Sequence, residues 1–388
     1  MSRAYLDHAS TSPVRPEAAA AWIDAIERLA GDPGRIHEEG LAARVALETA
    51  REQVAALVGA RSREVVFTSG ATEAVNAAAW GAAERAAARA PGAAIDGAGP
   101  HQVVTAVEHS AVRQAAARAG AVTVVGVDGT GRVEAAAVLD AIEDRTVAVH
   151  VQWANHEVGT IQPVAEVVAG CRERGVLVHV DAAQAVGRVP VDFGALGADL
   201  LSLSGHKLGG PPGTGALVVR RGLRLPPLLV GGDQERARRA GLEPVAALAG
   251  LGAAAEVLAD PDHLAAEAST AAGQADRLRT AAAGIDGVTV FGSPEHRLPH
   301  LVCLGIAGVE PQGVLLGLDR GGVAAHSGSA CSSESLEPSP VLEAMGVDAH
   351  RSLRLSVGWS TTERDVARAE ALLPEVVGGL RDLAARLS

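Results

Sequence analysis

The chain has 388 residues, 48% of them hydrophobic, which is enough for two or three domains with a large core. Its net charge of −12 at pH 7 disfavours a protein that coats nucleic acid, and its apolar runs are too short or too interrupted for a membrane span. Three cysteines without metal-ligand spacing indicate a reducing compartment and no metal site. The N-terminus lacks the basic and apolar regions of a secretion signal, so we expect a cytoplasmic protein.

Short valine-rich runs alternate with alanine-rich stretches through the first two thirds of the chain. Runs that are apolar on both faces and separated by helices indicate a mostly parallel sheet between layers of helices. The predicted strands are 65–67, 103–107, 122–127, 147–152, 176–180, 200–202 and 216–219. The predicted helices are 41–58, 71–89, 111–118 and 163–174.

The pattern changes after about residue 255 and indicates a smaller α+β domain. Its predicted elements are a helix at 263–283, strands at 288–291, 301–304, 322–325 and 353–357, and a closing helix at 363–387. We expect an α/β fold in which a large domain spans 15–255 and a small domain combines 1–14 with 256–388.

The run GPPGTG at 210–215 matches the start of a phosphate-binding loop of the ATPase type. Such a loop needs a lysine next and a helix after it. Here Ala216 takes the place of the lysine, and the following ALVV reads as a strand. We therefore expect these glycines to shape a turn rather than to bind a nucleotide.

Lys207 is the only lysine in a chain with 34 basic residues. Arginine can replace lysine where only charge is needed, but a guanidinium cannot form an imine with an aldehyde. The retained lysine therefore indicates a chemical role, with chance survival of a surface lysine as the alternative. Ser204 and His206 lie close by and can donate hydrogen bonds to a phosphate. This combination is typical of a pyridoxal phosphate (PLP) site.

Asp181 and Gln184 follow the predicted strand 176–180. In open α/β sheets, side chains at the C-terminal ends of parallel strands point into the ligand crevice. A carboxylate there can keep the pyridine nitrogen of PLP protonated, and Gln184 could reach the phenolic oxygen. The alternative is that Asp181 caps a following helix.

Two further segments follow predicted strands in the same way. The sequence FTSGATEA at 67–74 indicates a strand, a glycine turn and a helix, so Thr72 and nearby backbone N–H groups, including that of Ala71, could bind an anion. An ordinary helix cap would give the same pattern. His109 comes after the strand 103–107 and could stack on the cofactor ring and shuttle protons. The shared position at strand ends favours a single site.

Motifs along nearly the whole chain resemble those of cysteine desulfurases, in the class V aminotransferase branch of fold-type I PLP-dependent enzymes. The matching segments are YLDHASTSPV, FTSGATEAVN, EHSAV, ANHEVGTIQP, HVDAAQAVG, SLSGHKLGGPPGTGAL, GGDQER, AHSGSACSSESLEPSPVLEAMG and RSLRLSVG. The lysine and cysteine motifs together are highly specific. The resemblance implies the fold-type I architecture, PLP as cofactor, and a homodimer.

The resemblance also implies a set of cofactor-binding residues with separate roles. Lys207 bonds covalently to the cofactor, Asp181 pairs with the pyridine nitrogen, Gln184 contacts the phenolic oxygen and His109 stacks on the ring. The phosphate is expected to bind to the turn before the helix at 71–89 and to the segment before Lys207. The residues assigned to the phosphate are Ala71, Thr72, Ser204 and His206.

Substrate contacts follow from the same resemblance. Asn155 is expected near the ring and the substrate, and Arg354 is expected to take the substrate carboxylate, which suits a bidentate guanidinium. The sequence also departs from the family pattern. Leu242 stands where the family has a threonine that reaches the cofactor phosphate of the neighbouring subunit, and leucine cannot donate a hydrogen bond.

Cys331 lies in the polar segment SGSACSSES at 327–335, whereas Cys303 lies in an apolar run and Cys171 on a predicted helix. An exposed loop keeps a thiol reactive, and burial makes it inert. The resemblance implies that Cys331 attacks the sulfur of L-cysteine, releases L-alanine and passes the persulfide sulfur to an acceptor protein. Alternatives are a selenocysteine lyase, a C–S lyase or an aminotransferase of the same fold, or a non-catalytic sulfur-transfer scaffold.

Overall fold

The computed structural model of the chain describes residues 3–89, 99–327 and 338–387. Its strands are β1 (Ala4–Tyr5), β2 (Val65–Thr68), β3 (His101–Thr105), β4 (Ala121–Val125), β5 (Thr146–Gln152), β6 (Leu177–Asp181), β7 (Leu200–Ser204), β8 (Gly215–Val219), β9 (Val288–Phe291), β10 (Leu301–Ile306), β11 (Val323–Ala324) and β12 (Ser352–Ser356). All seven strands that the sequence predicts before residue 255 are confirmed, with ends that shift by one or two residues.

The α-helices are bounded as follows. They are α1 (Pro16–Arg28), α2 (Glu38–Leu57), α3 (Ala71–Arg89), α4 (Ser110–Ala119), α5 (Ala135–Asp140), α6 (Val164–Glu173), α7 (Phe193–Leu196), α8 (Gln234–Ala237), α9 (Val245–Ala259), α10 (Pro261–Ala283), α11 (Pro311–Arg320), α12 (Pro340–Ala344) and α13 (Glu363–Leu387). No helix in the described ranges is both long enough and apolar enough to cross a bilayer.

A seven-stranded sheet in the order β2-β8-β7-β6-β5-β3-β4 forms the centre of the molecule. Only β8 runs antiparallel to its neighbours. Leu201 and Leu203 of β7 belong to the cluster that contains α2, α6 and α9, whereas Leu200 belongs to the cluster against α3. Because side chains alternate along a strand, helices cover both faces, and the predicted α/β fold with a mostly parallel sheet is confirmed.

A second sheet, β12-β10-β9, is antiparallel and has its own apolar cluster with α10, α11 and α13. The N-terminal strand β1 pairs with β11 and brings residues 3–9 to this part of the molecule. The division of the chain at 255/256 stays a prediction. It falls inside α9, where Leu258 still belongs to the apolar cluster of the large sheet.

Candidate active site

A cavity of about 450 Å³ opens where β5, β6 and β7 end and where α3 begins. This is the position at which open α/β sheets bind ligands. Most of the residues that the sequence predicts for the site line this one cavity. They are Ala71, Thr72, His109, Asp181, Gln184, Ser204, His206, Lys207 and Arg354.

Lys207 ends the short 3-10 turn Gly205–Lys207, which directly follows β7. Burial lowers the pKa of its amine to about 8; the nearby Asp181 carboxylate opposes that shift, and Arg354 adds to it. The amine of Lys207 therefore gives up its proton more readily than that of an exposed lysine. A neutral amine is the form that attacks an aldehyde.

The glycines after Lys207 shape a close-packed turn. Gly213 has φ +77°, and Gly215 opens β8, where a Cβ would lie 2.6 Å from the Cα of Gly70. The turn between β2 and α3 can approach this strand only because residue 215 has no side chain. Strand β8 begins at Gly215, the last residue of the run at 210–215, so a strand rather than a helix follows these glycines, as the sequence predicts.

The Asp181 carboxylate is held at the end of β6 by two hydrogen bonds to Oδ1, from Ser202 Oγ at 2.9 Å and from the N–H of Ala183 at 3.1 Å. The chain continues through turns, and the next α-helix begins only at Phe193, so Asp181 does not cap a helix. Beside it, Gln184 donates from Nε2 to the main-chain oxygen of Ala9 at 2.8 Å.

His109 caps α4, with its Nδ1 accepting a hydrogen bond from the N–H of Ala111 at 3.1 Å. Burial, helped by the nearby His156 and Lys207, lowers the pKa of His109 to about 3. The ring is therefore neutral, and because Nδ1 accepts, its proton lies on Nε2. His156, which lines the same cavity, meets His109 edge-on with ring centroids 5.1 Å apart.

One end of the cavity is suited to an anion. The first turn of α3 presents backbone N–H groups that have no acceptor within the helix, and the 19-residue helix adds a partial positive charge there. Ser204 and His206 lie opposite, on the segment that leads to Lys207. Burial and, to a smaller extent, the charge of Lys207 lower the pKa of His206 to about 4. The ring is therefore neutral and offers one N–H donor.

Arg354 lies in the middle of β12 and is almost fully buried. Its Nη1 donates to the main-chain oxygen of His156 at 2.8 Å, and its Nη2 forms an ion pair with Asp7 at 3.0 Å and also contacts Ser10. Its Nε has no hydrogen-bond partner among the described residues. Arg354 lines the cavity, and a guanidinium there suits a carboxylate ligand.

Two predicted site residues are not among the cavity-lining residues. Asn155 is fully buried beside the cavity: its Oδ1 accepts from the N–H groups of Glu157 and Val158, both at 2.8 Å, and its Nδ2 donates to Val107 O. It holds the loop that carries His156, and its contact with the ring or substrate stays a prediction. Cys331 lies outside the described residues.

The other two cysteines are buried, as the apolar run around Cys303 predicts for that residue, and Cys171 lies on α6. Burial raises the pKa of both the Cys171 and the Cys303 thiol to about 12, which leaves them protonated and unreactive at neutral pH. In the described residues, no cluster of three or more His, Cys, Asp or Glu side chains is arranged to hold a metal ion.

Sequence reasoning missed several residues of this site. His156, Ser10 and Gln152 line the cavity, and Asp7 pairs with Arg354. His156 and Ser10 lie in the motifs ANHEVGTIQP and YLDHASTSPV, which carry the family resemblance, so the motifs themselves could have indicated both residues.

The family model named Aminotransferase class-V matches residues 4–369 of this chain. The chain is 41% identical to a cysteine desulfurase of Trichormus azollae, with 99% of this chain and 95% of that relative aligned. Among solved structures it resembles a NifS-like protein, with TM-score 0.88, 28% identity and coverage of 97% of this chain and 100% of the other. It also resembles SspA solved in complex with cysteine, with TM-score 0.79, 28% identity and coverage of 91% and 98%.

Proposed function

This chain belongs to the class V aminotransferase family, and we propose on that premise that it is a PLP-dependent cysteine desulfurase. It converts L-cysteine to L-alanine and holds the sulfur as a persulfide on Cys331 for transfer to an acceptor protein. The observation that carries the proposal is the convergence of the only lysine, Lys207, with Asp181 and an anion-binding turn in one cavity.

The residues of the cavity fit PLP. Lys207 offers an amine with a lowered pKa to the aldehyde, and Asp181 offers a fixed carboxylate to the pyridine nitrogen. Both His109 and Gln184 line the cavity; His109 would stack on the ring, and Gln184 would contact the phenolic oxygen. The phosphate would bind to the first turn of α3, at Ala71 and Thr72, and to Ser204 and His206.

When bound, PLP supplies an electron sink for the carbon that loses a proton. Arg354, which lines the cavity, would hold the carboxylate of the amino-acid substrate. Lys207 Nζ, once free, would take the proton from the substrate Cα. The neutral ring of His109, with its proton on Nε2, would serve as a hydrogen-bond donor or proton carrier beside it.

Cys331 determines which reaction follows. Its thiolate would attack the substrate sulfur, so that an S–S bond forms at Cys331 while the C–S bond of the substrate breaks. The carbon skeleton takes up protons and leaves as alanine. Cysteine and one enzyme thiol give alanine and one enzyme persulfide, so the step requires no external oxidant.

The proposal includes a homodimer, and Leu242, which is 62% exposed, is free to face a second subunit. It also includes an acceptor protein for the sulfur and a cytoplasmic location, with no direct role for nucleic acid.

The experiment is a turnover assay on the full-length protein loaded with PLP. We expect a yellow absorption band that shifts on addition of L-cysteine, alanine as product, and PLP fixed at Lys207 after borohydride reduction. Cys331→Ala should keep the band but lose alanine formation by at least about a hundredfold. Cys171→Ala is the matched control. Sulfur release at the full rate by Cys331→Ala would contradict the persulfide route, and the absence of any band would contradict PLP chemistry.

A further inference from the structure

Three consecutive non-glycine residues adopt left-handed backbone conformations beside the first strand of the central sheet. They are Glu235, Arg236 and Ala237, with φ of 49°, 59° and 60°, so that the short element α8 is a left-handed turn and not a regular right-handed helix. L-residues other than glycine rarely adopt this conformation, and a run of three is uncommon. Such strain persists only where the surrounding structure enforces it, often next to a functional site.

The left-handed turn, residues 235–237, is fixed to β2 and to Arg51 of α2 by hydrogen bonds. Arg51 donates from Nη1 and Nη2 to the two carboxylate oxygens of Glu235 at 2.6 and 2.7 Å. The N–H of Phe67 donates to the same carboxylate at 2.9 Å, and Arg238 donates to the main-chain oxygen of Val65 at 3.1 Å. The turn is therefore tied to the strand that leads into the anion-binding end of the cavity.

The turn delivers Arg239 to Glu73. The Arg239 guanidinium contacts both carboxylate oxygens of Glu73, with Nε–Oε1 at 2.9 Å and Nη2–Oε2 at 3.3 Å. Glu73 is the third residue of α3 and lines the cavity, and its Oε2 also accepts from the N–H of Ser69 at 2.8 Å. The carboxylate therefore lies at the helix end that is to receive a phosphate.

A carboxylate in this place has two opposite effects. It stabilises the start of α3, because it accepts a backbone N–H and faces the positive end of the helix. An unneutralised negative charge would at the same time repel a second anion at the same helix end. Burial raises the pKa of Glu73, but hydrogen bonds from Arg239 and Ser69 more than offset this and lower it. The Glu73 carboxylate and the Arg239 guanidinium are therefore both charged.

We propose that Arg239 is a positioning residue for the cofactor phosphate: its guanidinium neutralises the Glu73 carboxylate, so that the first turn of α3 caps itself and still attracts the phosphate. The left-handed turn at 235–237 is the conformation that presents Arg239 for this purpose. The inference rests on the proposed function, because it takes the phosphate of PLP as the ligand.

The experiment measures dissociation constants of PLP and of pyridoxal, which lacks the phosphate, for the full-length chain freed of cofactor. Arg239→Gln should weaken PLP binding by about tenfold or more and change pyridoxal binding by less than about twofold. Glu73→Gln should bind PLP at least as tightly as the native chain. The double variant should recover PLP binding to within about threefold, because no uncompensated carboxylate remains.

Arg220→Gln is the matched control, since Arg220 also pairs with a carboxylate, Asp199 at 2.8 Å, but does not line the cavity. Equal loss of PLP and pyridoxal binding in Arg239→Gln, or no recovery in the double variant, would overturn the proposal in favour of a purely structural role. If Arg239→Gln does not fold, weaker PLP binding by Glu73→Gln alone would overturn it. Failure of the native chain to bind PLP would instead contradict the proposed function.

Discussion

The guanidinium of Arg188 donates a hydrogen bond from Nη2 to the main-chain oxygen of Lys207 at 2.9 Å. The same Nη2 donates to Ser12 Oγ at 2.7 Å, and Nη1 lies 3.7 Å from a carboxylate oxygen of Glu267. Burial lowers the pKa of Arg188 only to about 10, so the group is charged at neutral pH. A buried cation thus joins the lysine segment to the N-terminal segment and to α10.

Replacing Arg188 by methionine should destabilise the protein and disturb Lys207. The change leaves the Lys207 carbonyl without its donor, removes one hydrogen bond from Ser12 and removes one cation from Glu267. Loss of one partner of a buried charged network costs about 3 kcal/mol in the free energy of unfolding. Denaturant unfolding measures that loss, and the yield of reduced PLP adduct at Lys207 measures the second effect.

Arg28→Met is the control for this experiment. Arg28 is 74% exposed and pairs with Asp24 within α1, and such surface pairs contribute less than about 1 kcal/mol. Equal unfolding curves for Arg188→Met and the native chain would show that Arg188 does not anchor the lysine segment.

The pKa of Lys207 can be measured without interference, because no other lysine exists in the chain. Reductive methylation of the chain freed of PLP, with ¹³C-labelled formaldehyde, should give one lysine resonance besides that of the N-terminal amine, and it should titrate near pH 8 rather than near 10.5. Asp181→Asn should lower this pKa further, since the carboxylate raises it. A lysine titration near 10.5, or a rise in the Asp181→Asn variant, would contradict the electrostatic account of the site.

The central strands and the strand-end residues could be predicted from the sequence, whereas α9 could not. Val-rich runs bounded by polar residues leave little choice for the strands, and ligand sites of open sheets lie at their C-terminal ends. The segment 245–259, VAALAGLGAAAEVLA, has Glu256 as its only charged residue, so it has little helical periodicity to detect. It packs against α1, α2 and α10, and eight of its residues are buried.

The contacts that tune the site were also beyond prediction. Arg188 meets Ser12 across 176 residues of sequence, and Arg354 meets Asp7 across 347. Neither pair follows from a local spacing, because the tertiary fold alone brings its members together. For Asn155 the sequence motif predicts a contact with the cofactor ring. In the structure its side chain instead accepts hydrogen bonds from the following loop, at Glu157 and Val158.

Gly215→Ala should damage the turn between β2 and α3. The new Cβ would lie 2.6 Å from Gly70 Cα and 2.8 Å from the main-chain oxygen of Leu203, so backbone atoms must move apart. Such overpacking costs about 1–3 kcal/mol in stability, and the shift of Gly70 should weaken PLP binding as well. Denaturant unfolding and a PLP titration measure the two effects.

Gly273→Ala is the matched control, because Gly273 lies within α10 and a Cβ there would meet nothing within 4 Å. Alanine in place of a mid-helix glycine should raise stability by about 0.5–1 kcal/mol and leave PLP binding unchanged. Unimpaired PLP binding by Gly215→Ala would mean that the close approach of residues 70 and 215 does not shape the turn.

Glu108 should make the protein less stable as the pH rises. Its Oε1 accepts from Thr105 Oγ1 at 2.7 Å and from the N–H of Gln152 at 2.8 Å, while Oε2 has no partner among the described residues. Burial raises the pKa of this carboxyl to about 8. The unfolded chain releases the proton near 4.5 but the folded chain keeps it, so stability that is present below 4.5 is lost as the pH rises through 8.

Glu108→Gln keeps the shape and the accepting oxygen but cannot ionise. The variant should gain about 1.4 kcal/mol of stability relative to the native chain for each pH unit between about pH 5 and pH 8. Urea unfolding at several pH values measures this difference. Glu52→Gln, at an exposed position of α2, should show no such trend. A stability difference for Glu108→Gln that stays constant with pH would mean that the Glu108 carboxyl ionises normally in the folded protein. Glu108 would then carry a negative charge close to Asp181 at neutral pH.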